Sequence, residues 1–257
     1  MVNTFFIPPM GHLSSFYQDY IQQYNSHYYF LDYPLSKQEQ LAGASCLIKN
    51  ADYFAQKIQQ INQKTNQNEF MIIGVSLGAT LSLKINEKLN NTANKLILIA
   101  PGGIKVTRAR KELIKQTLNE LNCMDFITKV LGLTSSDFLK SNFCQHFSVT
   151  TPTSQEYYQK LYSFWKNNNH LKTQENFKSL VIDALDVNYE ELLERYQDKI
   201  HIIWSEKDKV FSSRHLKRFQ HLCQKSIFSI YPNYGHYLPL EAPEELNKIV
   251  RSYVCHL

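Results

Sequence analysis

Six short apolar runs punctuate this chain, and most lead through a turn into a stretch of helical periodicity. They are Thr4–Ile7, His27–Leu31, Phe70–Ile73, Lys95–Ala100, Ile200–Trp204 and Ser226–Tyr231. Strands separated by helices cannot close through tight hairpins. Each returns by a crossover, so the strands run parallel and helices cover both sheet faces. The same rhythm predicts helices over Phe16–Tyr24 (capped by Ser14 or Ser15), Ala44–Lys64, Leu77–Leu89 and Ser213–Cys223, and from Pro243 to the end. The expected fold class is α/β: a doubly wound, mostly parallel sheet of about six strands.

One interval breaks the rhythm. From Ile104 to Tyr196 no strand-like run occurs, only helical patterns at Arg108–Leu121, Met124–Leu131, Ser135–Phe147, Ser154–Trp165, Glu175–Leu185 and Tyr189–Tyr196. That is too long for a crossover. The expected organisation is an α/β core built from 1–103 and 197–257, with 104–196 inserted as an all-helical lid subdomain.

Composition narrows the classes. With 257 residues, 43% hydrophobic and 20% charged, the chain suits a soluble globular protein with a full core. The formal net charge is +5, but no dense Lys/Arg tract with interleaved aromatics occurs, so nucleic-acid binding is not expected. Met1–Pro9 has neither the basic region nor the apolar length of a secretory signal, and no apolar stretch reaches membrane-spanning length. Cys46, Cys123, Cys144, Cys223 and Cys255 are odd in number and lack C-x-x-C spacing. They read as buried free thiols in a reducing compartment, and a cytoplasmic location is the expectation. His215 and His221 lack the spacing and neighbouring carboxylate of an H-E-x-x-H site, so no metal is expected.

In a parallel sheet the working groups sit on loops at the carboxyl ends of strands. The third run breaks into Gly74-Val75-Ser76-Leu77-Gly78 and passes at once into a helix. A turn that tight leaves no room for side chains two residues either side of Ser76, which suits Gly74 and Gly78. It lifts the hydroxyl clear of the sheet edge and points free N–H groups of the helix at it. Asp208 follows the Trp204 strand and His236 follows the Tyr231 strand. A serine hydroxyl needs a base to become a nucleophile, and an imidazole base needs an acid to orient it. Glu206 competes with Asp208 for that acid role. Asp32, in Asp-Tyr-Pro, reads as a structural turn, and His12, His27, His201, His215 and His221 as structural or solvated.

The elbow and the order Ser76…Asp208…His236 resemble the α/β-hydrolase family. Trp204-Ser-Glu-Lys-Asp208-Lys-Val210 is similar to the family's acid loop, with Ser205 where Gly is usual. Tyr234-Gly235-His236-Tyr-Leu-Pro239-Leu-Glu241-Ala-Pro243 is similar to its G-H…E-x-P histidine loop. The family sheet has eight strands, and its first two antiparallel strands have no counterpart before Thr4. The resemblance implies an oxyanion hole formed by the N–H of Leu77 and one from the loop after the first strand. There Pro8-Pro9-Met10-Gly11-His12 replaces the usual His-Gly. Prolines carry no N–H, so Met10 is the candidate donor. The loop is also similar to the F-P-x-A-G-G loop of type II thioesterases.

The resemblance implies a serine hydrolase that cleaves a carboxylic ester through an acyl-enzyme on Ser76 and needs no cofactor. The alternative is a thioesterase, or an esterase acting on acyl-carrier-bound substrates such as pimeloyl methyl ester. A C–C bond hydrolase and a non-catalytic ligand receptor are more distant alternatives. Within the insertion, Tyr157, Tyr158, Tyr162, Phe164 and Trp165 are candidates to line an acyl pocket. Lys105, Arg108, Arg110, Lys111 and Lys115 form a basic cluster that reads as a solvated helix face, or as one that an acidic acyl carrier protein or a phosphorylated acyl donor would fit.

Overall fold

The structure is a computed structural model that describes residues 2–21, 28–34, 46–109, 111–112, 115–116, 147–148, 152–167 and 171–254. Six strands form one parallel sheet: β1 (Asn3–Ile7), β2 (Tyr28–Phe30), β3 (Phe70–Val75), β4 (Lys95–Ile99), β5 (Ile200–Ser205) and β6 (Ile227–Tyr231). Their order is β2-β1-β3-β4-β5-β6. The helices are α1 (Ser15–Ile21), α2 (Cys46–Thr65), α3 (Leu77–Lys88), α4 (Pro152–Asn167), α5 (Leu171–Asp186), α6 (Glu190–Tyr196), α7 (Ser213–Leu222), α8 (Leu238–Glu241) and α9 (Pro243–Val254).

Continuous apolar runs become the inner strands because helices cover both faces there. Every residue of β1, β3 and β5 is buried. β6 lies at the edge and leaves Ile227 and Ile230 exposed. Helix α3 follows β3 directly and is apolar almost all round, since it packs on the sheet beneath α2 and α6. Phe5, Phe6, Tyr17 and Phe54 are fully buried, each contributing roughly 2 kcal/mol of burial.

This order has a functional consequence. From β1 the chain winds outward to β2, whereas from β3 it winds the other way to β4. The loops leaving β1 and β3 therefore diverge and open a crevice at the carboxyl edge, the topological switch point. The register Ile7↔Gly74 sets Pro8–His12 beside the turn at Ser76.

Between β4 and β5 the described residues contain helices and no strand. The expected helices over Ser154–Trp165, Glu175–Leu185 and Tyr189–Tyr196 correspond to α4, α5 and α6. Helical residues at 108–109, 111–112 and 115–116 belong to the expected Arg108–Leu121 segment. The rest of that segment, Met124–Leu131 and most of Ser135–Phe147 lie outside the described residues, as do His27 and the end of the expected first helix.

Local contacts tie the insertion to the core. Tyr189 N–H donates to Gly103 O (2.8 Å), and Leu47 N–H at the start of α2 donates to Asp183 Oδ2 of α5 (3.1 Å). Cys46 and Cys223 are buried and free; burial pushes their thiols up to about 11 and about 12. The other three cysteines lie outside the described residues. Among the described residues, no helix is long and apolar enough to cross a membrane.

Candidate active site

The turn at Ser76 is shaped by what its neighbours lack. A Cβ on Gly74 would collide with Gly78 O and the Ala79 backbone, and one on Gly78 would collide with the carbonyls of Ile7 and Pro8. Both glycines are required by the close approach of α3 to β1 and β3. Ser76 itself stands at φ 54° and ψ −115°, in the left-handed region that a side chain rarely adopts. Its N–H donates to Ile99 O (2.9 Å), and its carbonyl accepts from Thr80 N–H (3.2 Å). Such a conformation costs roughly 1–3 kcal/mol and persists because the surrounding ladder over-determines it.

Leu77 is the first residue of α3, and Met10 stands in the loop after β1. Among the described residues neither backbone N–H has a hydrogen-bond partner. Both residues border, with Ser76, a cavity of about 220 Å³. Its remaining wall is apolar: Ile104 and Val106 after β4, Val181, Ala184 and Leu185 of α5, and Val210 and Phe211 after β5, with Thr80 and His215 as its other polar side chains. A larger groove of about 710 Å³ lies where β3 begins, among Gln59, Asn62, Gln67 and Asn90. It is open and polar, and among the described residues no charged side chain lines it.

The acid and the imidazole meet. His236 Nδ1 lies 2.8 Å from Asp208 Oδ2, both groups buried. The other carboxylate oxygen accepts from the N–H groups of Val210 (2.7 Å) and Phe211 (3.0 Å). Burial works against the charge on Asp208. The His236 charge and hydrogen bond, with the two backbone donors, outweigh it and hold the carboxyl below its ordinary value. A carboxylate only accepts, so Nδ1–H donates to it, and in the neutral form of the ring Nε2 is the nitrogen that presents the lone pair. Phe211 packs edge-on to the imidazole at 5.7 Å and also lines the Ser76 cavity, joining the two parts of the site. Among the described residues no hydrogen bond joins Ser76 Oγ to the imidazole. Glu206 is exposed, on the loop leaving β5.

Two residues have roles that the linear pattern did not give. Glu241, part of the histidine-loop motif, accepts from Gly235 N–H (2.8 Å) and Ser148 N–H (2.8 Å), so it braces the turn that delivers His236. His12, read as structural or solvated, is buried among phenols. Its Nδ1 is hydrogen-bonded to Tyr157 and lies 3.3 Å from Tyr17 Oη, and its Nε2 lies 3.4 Å from Tyr237 Oη. Tyr157 donates to Tyr17 (3.0 Å). Burial raises all three phenols, so they stay protonated. A glycine loop followed by a lone histidine was the only available signal, and nothing local identified its partners.

The aromatic residues expected at the acyl pocket are placed differently. Tyr158 and Tyr162 stack on each other, rings 6.2 Å apart, and Trp165 packs against Phe177 while its Nε1–H donates to Gly11 O (2.9 Å). None of the three borders the cavity at Ser76. Of the basic cluster, Lys111 and Lys115 pair with Asp186 at 3.3 and 3.1 Å, and Arg110 lies outside the described residues.

A family model described as the alpha/beta hydrolase fold matches residues 18–243. No curated protein matches the chain. Among solved structures it is similar to a thermophilic esterase from Thermogutta terrifontis with malate bound, at 11% identity and a TM-score of 0.73, covering 100% of this chain and 90% of that one. It is similar also to an esterase from Exiguobacterium antarcticum (15% identity, TM-score 0.69, covering 99% and 92%). A third is from a study of carboxylesterases of the ammonia-oxidizing thaumarchaeon Nitrososphaera gargenis (15% identity, TM-score 0.62, covering 99% and 90%). With a six-stranded parallel sheet, a glycine-flanked serine elbow and a family model matched over most of its length, the chain belongs to the alpha/beta hydrolase fold family.

Proposed function

We propose that the protein is a carboxylic ester hydrolase that works through an acyl-enzyme on Ser76. The observation that carries this reading is the strained serine turn, set beside an apolar cavity, at the sheet edge where His236 is hydrogen-bonded to Asp208. In the proposed reaction Asp208 holds the ring so that Nε2 takes the Ser76 proton as Oγ attacks the ester carbonyl. The oxyanion is stabilised by the N–H groups of Leu77 and Met10. The imidazolium then protonates the departing alcohol, and a water activated by the same nitrogen releases the acid. A hydroxyl–imidazole hydrogen bond absent without substrate commonly forms only in the substrate complex.

The apolar wall suits an acyl or alkyl chain, and we assign the lid role to α5 through Val181, Ala184 and Leu185. A thioester fits the same chemistry. The acyl-carrier reading is weaker, because two cations of its cluster are engaged by Asp186.

A fluorophosphonate probe and a panel of p-nitrophenyl esters test the proposal. Ser76 should be labelled, and Ser76→Ala should lose both labelling and turnover while keeping its fold. Folded wild-type protein that takes no label and hydrolyses no ester would sink the reading. Matched esters and thioesters of one acyl group then decide the leaving atom.

A further inference from the structure

The cavity at Ser76 adjoins a second hollow. A cleft of about 250 Å³ is lined by Ile104, Lys105, Val106, Thr107, Arg214 and His215. Three of these, Ile104, Val106 and His215, also line the Ser76 cavity, so the two spaces share a wall. The change in chemistry across that wall is abrupt. On the serine side the lining is mostly aliphatic and aromatic, with Thr80 and His215 as the polar side chains beside Ser76. On the far side stand an ammonium and a guanidinium, and among the described residues no carboxylate lines the cleft. Neither Lys105 nor Arg214 is in an ion pair among the described residues, whereas nearby Lys111 and Lys115 are paired with Asp186. The cleft therefore holds two cations that have no counter-ion among the described residues, beside a mostly apolar space that ends at Ser76.

We infer that the ester substrate carries a terminal anion, a carboxylate or a phosphate, and that Lys105 and Arg214 receive it while the apolar part of the chain fills the cavity at Ser76. This deepens the ester-hydrolase reading and rests on it. Among the described residues no Lys, Arg, Asp or Glu lines the Ser76 cavity, and its wall is mostly apolar, so a charged end is better held beyond the wall at Ile104, Val106 and His215. Beyond it, a guanidinium offers a planar fork matched to carboxylate or phosphate oxygens, and Lys105 adds a second positive charge. An ester with a neutral end of the same length would leave those cations solvated and gain nothing from them.

The test compares monomethyl esters of straight-chain dicarboxylic acids, from succinate to sebacate, with methyl esters of the matching monocarboxylic acids. ω-Phosphonate esters form a third arm that distinguishes the two anions. The readout is the ratio of kcat/KM for the anionic ester to that for its neutral partner. Wild type should favour the anionic ester at one chain length, and the preference should shrink as salt rises. In a Lys105→Glu/Arg214→Glu variant the ratio should fall about ten-fold, the combined effect of reversing two exposed charges. Should that variant fail to fold, Lys105→Gln and Arg214→Gln singly, with the salt dependence of wild type, give the same readout. A ratio near one at every length, or one unmoved by charge reversal, overturns the inference and leaves the ester-hydrolase reading standing. An enzyme that cleaves neither ester and takes no phosphonate label overturns both.

Discussion

Ser76 occupies a backbone conformation that costs free energy, and the protein keeps it. Glycine reaches φ 54° without a Cβ penalty, so Ser76→Gly should remove both the hydroxyl and the strain. The variant should melt at the wild-type temperature or a few degrees above it, in thermal unfolding followed by circular dichroism, while hydrolysis is lost. A clear drop in melting temperature would mean the turn is not strained. Asp208 presents the complementary case. Asp208→Asn keeps the shape but favours the wrong ring tautomer, so kcat should fall about a thousandfold or more with the fold intact. Near-normal turnover would move the acid elsewhere, with Glu206 the next candidate. Because the folded state holds Asp208 below its ordinary value, its ionised form stabilises the protein at neutral pH. That contribution is present above about pH 4, the unfolded value, and is lost as pH falls toward the lower folded one. Acid unfolding should be shallower in the Asn variant over that range.

At the scale of elements, α4 acts on the loop after β1 rather than on the cavity at Ser76. Trp165 Nε1 holds the Gly11 carbonyl, and Tyr157 holds His12, so two successive residues beside Met10 are fixed by one helix. Gly11 takes φ 77°, a conformation its missing side chain permits. If Met10 supplies an oxyanion donor, its aim depends on this clamp. Trp165→Phe keeps the packing against Phe177 but deletes the donor, a loss of about 1 kcal/mol of stability. Steady-state kinetics should show kcat falling several-fold with KM little changed, the sign of an interaction made in the transition state. An equal change in KM alone would place Trp165 in substrate binding after all.

For the molecule as a whole, pH acts through the sheet as well as the site. His201 on β5 is buried, with Nδ1 2.8 Å from Tyr253 Oη on α9 and Nε2 2.9 Å from Ser229 Oγ on β6. Burial first, then the nearby Lys95 charge, lowers its pKa to about 4. In the unfolded chain the same group titrates near 6.5. Between those values the unfolded state binds a proton that the folded state refuses, so stability rises with pH across that window. Melting temperature should fall from about pH 6.5 toward pH 4, and His201→Gln should flatten the profile. A wild-type melting temperature constant over that range would show that His201 is protonated within the fold.

The linear sequence specified the frame of this molecule, because the frame is set by local constraints. Apolar runs that read as strands became β1 to β6, and two glycines four residues apart marked a turn in which Cβ atoms have no room. The order Ser76, Asp208, His236 followed from which loops leave the carboxyl edge. Tertiary structure alone decided what surrounds that frame. The cavity wall is assembled from the loop after β1, the start of α3, the segment after β4, α5 and the loop after β5. Periodicity shows that a helix has an apolar face, and leaves open which neighbour the face meets. Tyr158, Tyr162 and Trp165 therefore looked like pocket residues on the same grounds that make them packing residues. The pairing of Lys111 and Lys115 with Asp186, and the phenols around His12, depend on contacts across long stretches of chain. Backbone sterics act within a few residues and are legible in order; side-chain neighbours are chosen only when the helices dock on the sheet.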